Sequence, residues 1–217
     1  MVENAPRGTD PVGANAPRGT DPVVENAPRG TDPVEANMEE NVLENSKGSE
    51  KMSVADVTVR SAEPEDFKEI LRLNEESVHF LSPMSRERLE HMFEEVELCK
   101  VATRQGQILA FCMAFREGAD YDSVNYLWFA SHYPKFLYVD RVVVDLKKQA
   151  AGLGSLLYEE VFRHARETGV PLVAAEIDIA PPNPVSLKFH EKFGFGEVGR
   201  QEVAGGTKVV SLQTSNL

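Results

Sequence analysis

The residues with the clearest chemical potential lie in the segment VVVDLKKQAAGLG, from Val142 to Gly154. Its β-branched run predicts a strand, and its glycines precede a stretch with helical periodicity. This order places free backbone N–H groups and the positive end of a helix dipole beside the end of a strand. The segment therefore predicts an anion site, which Gly152 and Gly154 allow a ligand to approach closely.

Two widespread phosphate-binding patterns are missing from this segment. It has neither the GxGxxG of a dinucleotide fold nor the GK[ST] of a P-loop. Taken alone, its spacing Q-x-x-G-x-G also fits a helix that needs glycine for tight packing. The segment by itself thus leaves a binding role and a packing role open.

A second segment with chemical potential, NPVSLKFHEKFGF, runs from Asn183 to Phe195. Asn183 suits a helix N-cap, Pro184 suits the first helical position, and Gly194 suits the residue after the helix. His190 can exchange a proton near neutral pH. The pattern predicts a short helix that carries Asn183, Ser186 and His190.

The two segments, in this order, resemble the signature motifs of the GNAT N-acetyltransferases. The family patterns are Q/R-x-x-G-x-G/A and N-x-x-[A/S]-x-x-[L/F]-[Y/H]-x-x-x-G-F, and the resemblance spans roughly Val57 to Gln213. It implies an N-acetyltransferase with acetyl-CoA as co-substrate. The first motif is then expected around the pyrophosphate, and the second beside the pantetheine arm and thioester.

The resemblance assigns cofactor contacts by position. The backbone of Val142, Val143 and Val144 is implied to pair with the pantetheine arm and to polarise the thioester carbonyl. Asn183 and Ser186 are implied to line the cofactor channel, although helix capping alone also explains Asn183. The implied pyrophosphate loop consists of Gln149, Ala150, Ala151, Gly152, Leu153 and Gly154.

His190 occupies a position where many family members have tyrosine and some, including phosphinothricin-type acetyltransferases, have histidine. The tyrosine hydroxyl is thought to protonate the leaving thiolate. The resemblance therefore implies that His190 is a catalytic acid, a cofactor-stacking residue, or both. A helix histidine that is simply packed is the alternative.

The resemblance implies that the residue at the Asp140 or Tyr138 position, on the strand from Phe136 to Asp145, faces the acceptor as a base or water relay. Because side chains alternate along a strand, Tyr138, Asp140, Val142 and Val144 are predicted to share one face. Asp140 is the carboxylate of that face and the predicted base, since burial would raise its pKa. A structural salt bridge is the alternative for Asp140, and Glu176 and Asp178 on the next strand are weaker candidates for the base.

Aromatic residues cluster in the connection EGADYDSVNYLWFASHYPK, residues 117–135. A loop of that length in a compact domain is usually functional. Tyr126, Trp128 and Tyr133, with Tyr138 on the following strand, are predicted to contact the acceptor. Packing in the core is the alternative.

The elements that position these residues follow the order β-α-α-β-β-β-α-β-α-β-β. The predicted fold is a GNAT-type α/β domain with a mixed, mainly antiparallel central sheet flanked by helices. Strands and helices are predicted from Val57 onward, with a hairpin turn at Gln105-Gly106 and another at Gly205-Gly206.

Composition excludes several classes of protein. The net charge of −12 disfavours nucleic-acid binding. The two cysteines, Cys99 and Cys112, are too few for a disulfide framework and have no metal-ligand spacing. No apolar run predicts a membrane span or secretory signal, so a cytoplasmic protein without metal or membrane partner is expected. The sequence is compatible with a homodimer.

The N-terminal region is repetitive. Residues 2–12, 13–23 and 24–34 are copies of one 11-residue unit rich in proline and polar residues. Such a composition predicts a disordered tail over residues 1–51, with a polar linker, followed by the acetyltransferase domain over 52–217. Translation from Met1 and translation from near Met52 both remain open.

The sequence favours acetyl transfer to a primary amine of a small molecule, by direct attack in a ternary complex. One alternative is a protein or peptide N-acetyltransferase, which an open groove would favour. A non-catalytic acyl-CoA-binding module is the other alternative, and it would bind acetyl-CoA without turnover.

Overall fold

The computed structural model describes residues 54–78, 81–148 and 152–217. The prediction of a disordered repetitive tail concerns residues outside these ranges. The first described residues form a 3₁₀ turn, Val54–Asp56, and a short strand, β1, Thr58–Ser61.

Two helices follow β1 and have clear local causes. A 3₁₀ turn at Pro64–Asp66 leads into α1, Phe67–Glu76. The second helix, α2, spans Arg86–Glu95, and the Ser85 hydroxyl caps it by accepting from the Arg88 N–H at 3.1 Å.

The predicted hairpin is confirmed. Strand β2, Leu98–Arg104, pairs antiparallel with β3, Gln107–Arg116. Both turn residues have positive φ, 50° at Gln105 and 78° at Gly106. This is the backbone twist that joins two antiparallel strands tightly, and glycine provides it at little cost.

The aromatic connection contains a helix that the sequence prediction missed. Helix α3 spans Val124–His132, and its N-cap is Ser123. Tyr126 and Phe129 lie one turn apart and are buried, whereas Val124 and Leu127 are exposed. Apolar residues on both the buried and the solvent side hide the helical period, which explains why the segment read as a loop.

The remaining elements complete one mixed sheet. Their bounds are β4, Leu137–Val144; α4, Leu153–Glu167; β5, Leu172–Ala180; α5, Pro184–Glu191; β6, Gly196–Val203; and β7, Lys208–Asn216. The seven strands have the order β1-β2-β3-β4-β5-β7-β6, and the β4–β5 pair is parallel while the others are antiparallel. The predicted fold class is confirmed, and α3 is the addition to the predicted order.

Two cores lie on opposite faces of the sheet. One joins the sheet to α1, α2 and α3 through residues such as Leu73, Met92 and Phe129. The other joins it to α4 and α5 through residues such as Leu157 and Phe189. The start of α4 therefore lies on one face, and the aromatic connection covers the other.

None of the helices within the described ranges is both long and apolar enough to cross a membrane.

Candidate active site

The central strands β4 and β5 separate partway along their length. Their parallel pairing joins Leu137–Val139 to Val173–Ala175, and no further rung is formed within the described residues. On their outer sides both strands remain paired, β4 with β3 and β5 with β7. The edge of β4 from Asp140 to Val144 that faces β5 thus keeps backbone hydrogen-bonding groups that a ligand can satisfy.

A β-bulge at Asp140 marks the point where the strands separate. Met113 of β3 pairs with Arg141 and the next residue, Ala114, pairs with Val139, so Asp140 is the extra residue. A bulge reverses the alternation of side chains beyond it.

The predicted common face of Tyr138, Asp140, Val142 and Val144 is therefore wrong. Tyr138 packs in the core beside α1–α3, whereas Val142 and Val144 pack on the core beside α4 and α5. Val143 instead packs in the core beside α1–α3, on the face where simple alternation would have placed Val142 and Val144. The gap between β4 and β5 therefore lies between two faces of the sheet, one lined by valines and the other by polar side chains.

The start of α4 has the features of an anion site. Gly152 is its N-cap, with φ of 81°, a conformation that favours glycine. A Cβ on Gly154 would lie 3.4 Å from the Phe189 ring, so this residue packs closely on α5. Leu153 is the first residue of the helix, and the N–H groups of a first helical turn have no acceptor within the helix, so they are suited to bind an anion. Gln149, Ala150 and Ala151 lie outside the described residues.

Helix α5 begins with the predicted cap. The Asn183 side chain accepts from the Ser186 N–H at 3.0 Å. Both residues are half-buried, and the Ser186 hydroxyl lies 3.3 Å from His190 Nδ1. Capping therefore accounts for the side-chain oxygen of Asn183, and the Ser186 hydroxyl is oriented toward His190.

Both ring nitrogens of His190 have partners inside the protein. Nδ1 donates to the Ser186 carbonyl oxygen at 2.8 Å, so Nε2 accepts from the Tyr158 hydroxyl at 2.5 Å. This tautomer is the one that satisfies both contacts. His190 is 8% exposed, and burial lowers its pKa. The imidazole is consequently neutral at pH 7 and committed to two internal hydrogen bonds.

Asp140 is held in a buried ion pair. Its side chain is 7% exposed and accepts from Arg141 Nε at 2.8 Å and from the Tyr121 hydroxyl at 2.6 Å. Arg141 also donates to Asn74 Oδ1 at 2.5 Å, which links the bulge to α1. The charge of Asp140 is thus compensated and both carboxylate oxygens have donors, as the structural alternative expected.

Glu176 on β5 has a different environment. Its Oε2 accepts from the Tyr138 hydroxyl at 2.6 Å, and no ion pair joins it to any cation of the described ranges. Burial and then the negative charge of Asp140 raise the pKa of Glu176 to about 7, against hydrogen bonds from Tyr138 and Asn125 that lower it. A half-buried carboxylate that titrates near neutral pH is suited to exchange a proton with a ligand.

The other aromatic residues lie farther from this chemistry. The Tyr126 hydroxyl accepts from the Ala119 N–H at 2.9 Å and donates to the Arg116 carbonyl at 2.8 Å, which fixes the connection before α3. The Trp128 ring stacks on His132 with centroids 3.8 Å apart. Tyr133 is half-buried against the core that joins the sheet to α1, α2 and α3. Among the four predicted acceptor residues, Tyr138 is the one bonded to Glu176.

Two surface clefts occur elsewhere. One lies between α4 and α5 beside Phe162 and Phe193, and the other lies beside Asp66 and Leu109. Neither is lined by Glu176 or by the start of α4. The candidate site is consequently identified by the separated strands and the chemistry of their residues.

From the sequence, Glu176 was a weaker candidate for the base than Asp140, and Tyr121, Asn125 and Tyr158 were not among the predicted site residues. A usable signal existed for Glu176, because its carboxylate interrupts the run of buried residues at the centre of β5. The other three depend on contacts between distant parts of the chain.

Comparison with known proteins identifies the class that this fold and site define. The model of the acetyltransferase (GNAT) family matches residues 65–195. The match covers more than half of the chain, so the chain belongs to this family. It is an acyltransferase, and acetyl-CoA is its co-substrate, as the sequence predicted. None of the curated proteins compared is significantly similar in sequence.

Solved structures with the same fold come from several organisms. The ribosomal-protein-alanine N-acetyltransferase of Brucella melitensis is 20% identical, with a TM-score of 0.59 over 74% of this chain and 99% of that one. Salmonella typhimurium yncA, solved with acetyl-CoA, is 18% identical, with a TM-score of 0.58 over 75% and 94%.

A third structure is Arabidopsis thaliana Naa50 in complex with a bisubstrate analogue, CoA-Ac-MVNAL. It is 14% identical to this chain, with a TM-score of 0.58 over 75% of this chain and 99% of that one. At such identities these likenesses establish the fold.

Proposed function

We propose that this protein transfers the acetyl group of acetyl-CoA to a primary amine of a small molecule, by direct attack in a ternary complex. The observation that carries the proposal is Glu176. This half-buried carboxylate has a pKa of about 7, has no cationic partner within the described ranges, and lies just past the last rung between β4 and β5. A cationic amine would supply the missing countercharge.

The face that carries α4 and α5 is the proposed cofactor side. Acetyl-CoA, when bound, supplies the acetyl thioester. The unpaired edge of Val142, Val143 and Val144 provides backbone donors and acceptors for an extended arm, and the start of α4 provides N–H groups for phosphates. We assign the pyrophosphate to the loop 149–154 and the channel wall to Asn183 and Ser186.

Glu176 replaces Asp140 as the proposed base. A primary amine with a pKa near 10 arrives as an ammonium ion, and Glu176 takes one of its protons. The amine nitrogen then attacks the carbonyl carbon, the N–C bond forms, and the C–S bond breaks. The nitrogen then loses its second proton, and this proton neutralises the CoA thiolate that leaves. Asp140, already paired with Arg141, contributes its negative charge to the high pKa of Glu176.

We further propose that His190 positions α5 and is not the acid. Its two nitrogens are occupied by Ser186 and Tyr158, and its low exposure separates it from any ligand in the channel. His190→Phe should therefore destabilise the fold by about 1–3 kcal/mol, since it leaves the buried Tyr158 hydroxyl without an acceptor. Denaturant unfolding measures this loss.

The kinetics of the same variant separate the two roles of His190. If His190 is a positioning residue, kcat of the folded His190→Phe enzyme should stay within about threefold of wild type. Tyr158→Phe should then partly relieve the instability of His190→Phe in the double variant. A fall in kcat of about 10²–10⁴-fold with unchanged stability would instead identify His190 as the general acid.

The small size of the acceptor is proposed from the position of α3. This helix covers the polar face beyond β5, where Trp128 lies against Gly199 of β6 and Asn125 bonds Gln201. Such cover favours a compact amine over an extended peptide.

A thiol-release screen with acetyl-CoA and a panel of amines, amino acids and peptides tests the proposed acceptor class. Turnover of small primary amines alone is expected. Turnover confined to peptides would favour the peptide alternative, and acetyl-CoA binding without turnover would favour the non-catalytic one.

A further inference from the structure

Three carboxylates belong to β4 and β5, and the register of the sheet brings them together. They are Asp140 on β4 and Glu176 and Asp178 on β5. The last rung between the two strands joins Val139 to Ala175, so Asp140 and Glu176 are the first residues past it, one on each strand. These two residues therefore lie at the same level on neighbouring strands, at the point where β4 and β5 separate.

Glu176 and Asp178 lie on the face of the sheet that carries α1, α2 and α3. Their partners across the β5–β7 ladder are Leu212 and Val210, and both partners belong to the core on that face. The two acids are two residues apart on one strand, so their Cα atoms are about 7 Å apart. Glu176 is thus the middle member of a row, with Asp140 on one side and Asp178 further along β5.

Asp140 has a cation of its own. Arg141 Nε donates to it at 2.8 Å, and the side chains of the pair are 6% and 7% exposed. Tyr121, whose ring packs in the core beside α1–α3, donates to the other carboxylate oxygen at 2.6 Å. Arg141 is itself held by Asn74 Oδ1 at 2.5 Å and by the Ser82 carbonyl oxygen at 3.1 Å. The negative charge of Asp140 is therefore balanced before any ligand binds.

Asp178 has a cation as well, and Glu176 does not. Lys208 Nζ, from the first residue of β7, donates to Asp178 Oδ2 at 3.1 Å. Glu176 accepts from the neutral hydroxyl of Tyr138 at 2.6 Å and forms no ion pair within residues 54–78, 81–148 and 152–217. Among the three acids of the row, the ionised Glu176 is thus the one whose charge is left unbalanced.

We propose that this charge balance makes the enzyme specific for amines with a single positive charge at the reacting end. Arg141 and Lys208 determine this specificity, because each neutralises a carboxylate that could otherwise bind a second ammonium group. The inference rests on the proposed role of Glu176 and adds the charge of the acceptor to it. A short diamine would place its second ammonium beside a pair that is already neutral, where it loses water and gains no counterion.

The test compares primary monoamines with diamines of the same chain length, from three to six methylene groups, at pH 7 and saturating acetyl-CoA. These diamines carry two charges at that pH. For wild type, kcat/KM per amino group should be at least about tenfold higher for the monoamine than for the matched diamine, because the second charge finds no counterion. Steady-state thiol release measures both values.

Lys208→Met removes the cation beside Asp178 and leaves that carboxylate unbalanced. The ratio of kcat/KM for the diamine to that for the monoamine should then rise about tenfold, most of all for the chain length that spans Glu176 and Asp178. A general loss of folded enzyme lowers both values equally and cancels from the ratio. A merely structural role of the ion pair would consequently leave the ratio unchanged.

Lys192→Met is the matched control. Lys192 is an exposed residue at the C-terminal end of α5, on the opposite face of the sheet. The substitution changes the net charge of the protein by the same amount as Lys208→Met does. It should keep the wild-type ratio, since it leaves all three acids of the row with their present partners.

Arg141→Met makes the corresponding change on the other side of Glu176. It leaves Asp140 without its cation and should raise the ratio for the shorter diamines. Because loss of one partner of a buried ion pair is strongly destabilising, a thermal melt first establishes that the variant is folded. Adding Asp140→Asn removes the unbalanced charge and should return the ratio to that of wild type. If Arg141→Met does not fold, Lys208→Met decides the inference alone.

The outcomes separate this inference from the proposed function. If no small amine is acetylated, the proposed function fails and the inference fails with it. If monoamines are acetylated but matched diamines react equally well, or if the ratio is unchanged in Lys208→Met, the assigned charge specificity is wrong and the proposed function stands. A monoamine preference that weakens in Lys208→Met and persists in Lys192→Met supports the inference.

Discussion

Glu176→Gln is expected to lower kcat/KM for the acceptor amine by about 10²–10⁴-fold, the range that a general base contributes. The substitution keeps the size of the side chain, and its amide can still accept from Tyr138, but it cannot take a proton. Affinity for acetyl-CoA should change little, because Glu176 lies on the face opposite to α4 and α5. Steady-state thiol release and calorimetry measure the two quantities.

The matched control is Glu197→Gln on β6. That residue is exposed, and its hydrogen bonds with Ser211 and Arg200 lower its pKa, so it is ionised at neutral pH. It has no role in the proposed reaction. It should keep wild-type kcat/KM. If Glu176→Gln also remained within about threefold of wild type, another group or water would have to be the base.

The stability of the Glu176 variant provides an independent check. A carboxyl whose pKa is raised in the folded state, here to about 7 from an ordinary 4.5, binds protons more tightly folded than unfolded. Its contribution to stability therefore falls as pH rises from about 4.5 to 7. Glu176→Gln removes this dependence. The difference in free energy of unfolding between the variant and wild type should therefore favour the variant more at pH 8 than at pH 5.

Gly154→Asp is expected to weaken acetyl-CoA binding by at least about 100-fold. It adds a negative charge in the first turn of α4, where the phosphates are proposed to lie, and like charges repel strongly over a few ångströms. An acid at a helix N-terminus is favourable for the helix, but the new Cβ would lie 3.4 Å from the Phe189 ring, so the folded state should lose part of its stability while remaining folded. Calorimetric titration with acetyl-CoA and a thermal melt test both statements.

Gly196→Asp provides the charge-matched control for this prediction. It places the same group in open space on β6, away from α4, and should bind acetyl-CoA as wild type does. Wild-type affinity in Gly154→Asp would refute the assignment of the phosphates to this loop. An equal loss in both variants would point to net charge as the cause.

Local signals explain why the elements of the proposed cofactor side could be predicted from the sequence. The valine run of β4, the glycines at the start of α4 and the Asn183-Pro184 cap act within a few residues of themselves. The hairpin at Gln105-Gly106 is of the same kind. In each of these cases the chain's own backbone preferences determine the structure.

The polar side of the site could not be predicted in the same way. The bulge at Asp140 depends on the register of β4 against β3, which alternation along a single strand does not contain. Helix α3 was hidden by its exposed Val124 and Leu127. The bulge reversed the faces of the valines, and α3 placed Asn125 beside Gln201 of β6.

Protonation states were still less accessible. The pKa of Glu176 results from burial and from Asp140 on another strand. The second hydrogen-bond partner of the His190 ring is Tyr158, 32 residues away. Charge and hydrogen bonding act through space, so they become visible only when the fold brings the groups together. This is why the sequence favoured Asp140 and His190 while the structure favours Glu176.

The most direct test of the central claim is the pH dependence of kcat/KM for several primary amines of different pKa. If Glu176 removes the proton from the bound ammonium, the acid limb should break near pH 7 for every amine, and the break should vanish in Glu176→Gln. If the limb instead follows the pKa of each amine in solution, the enzyme uses the amine already neutral, and the claim that Glu176 is the base is wrong.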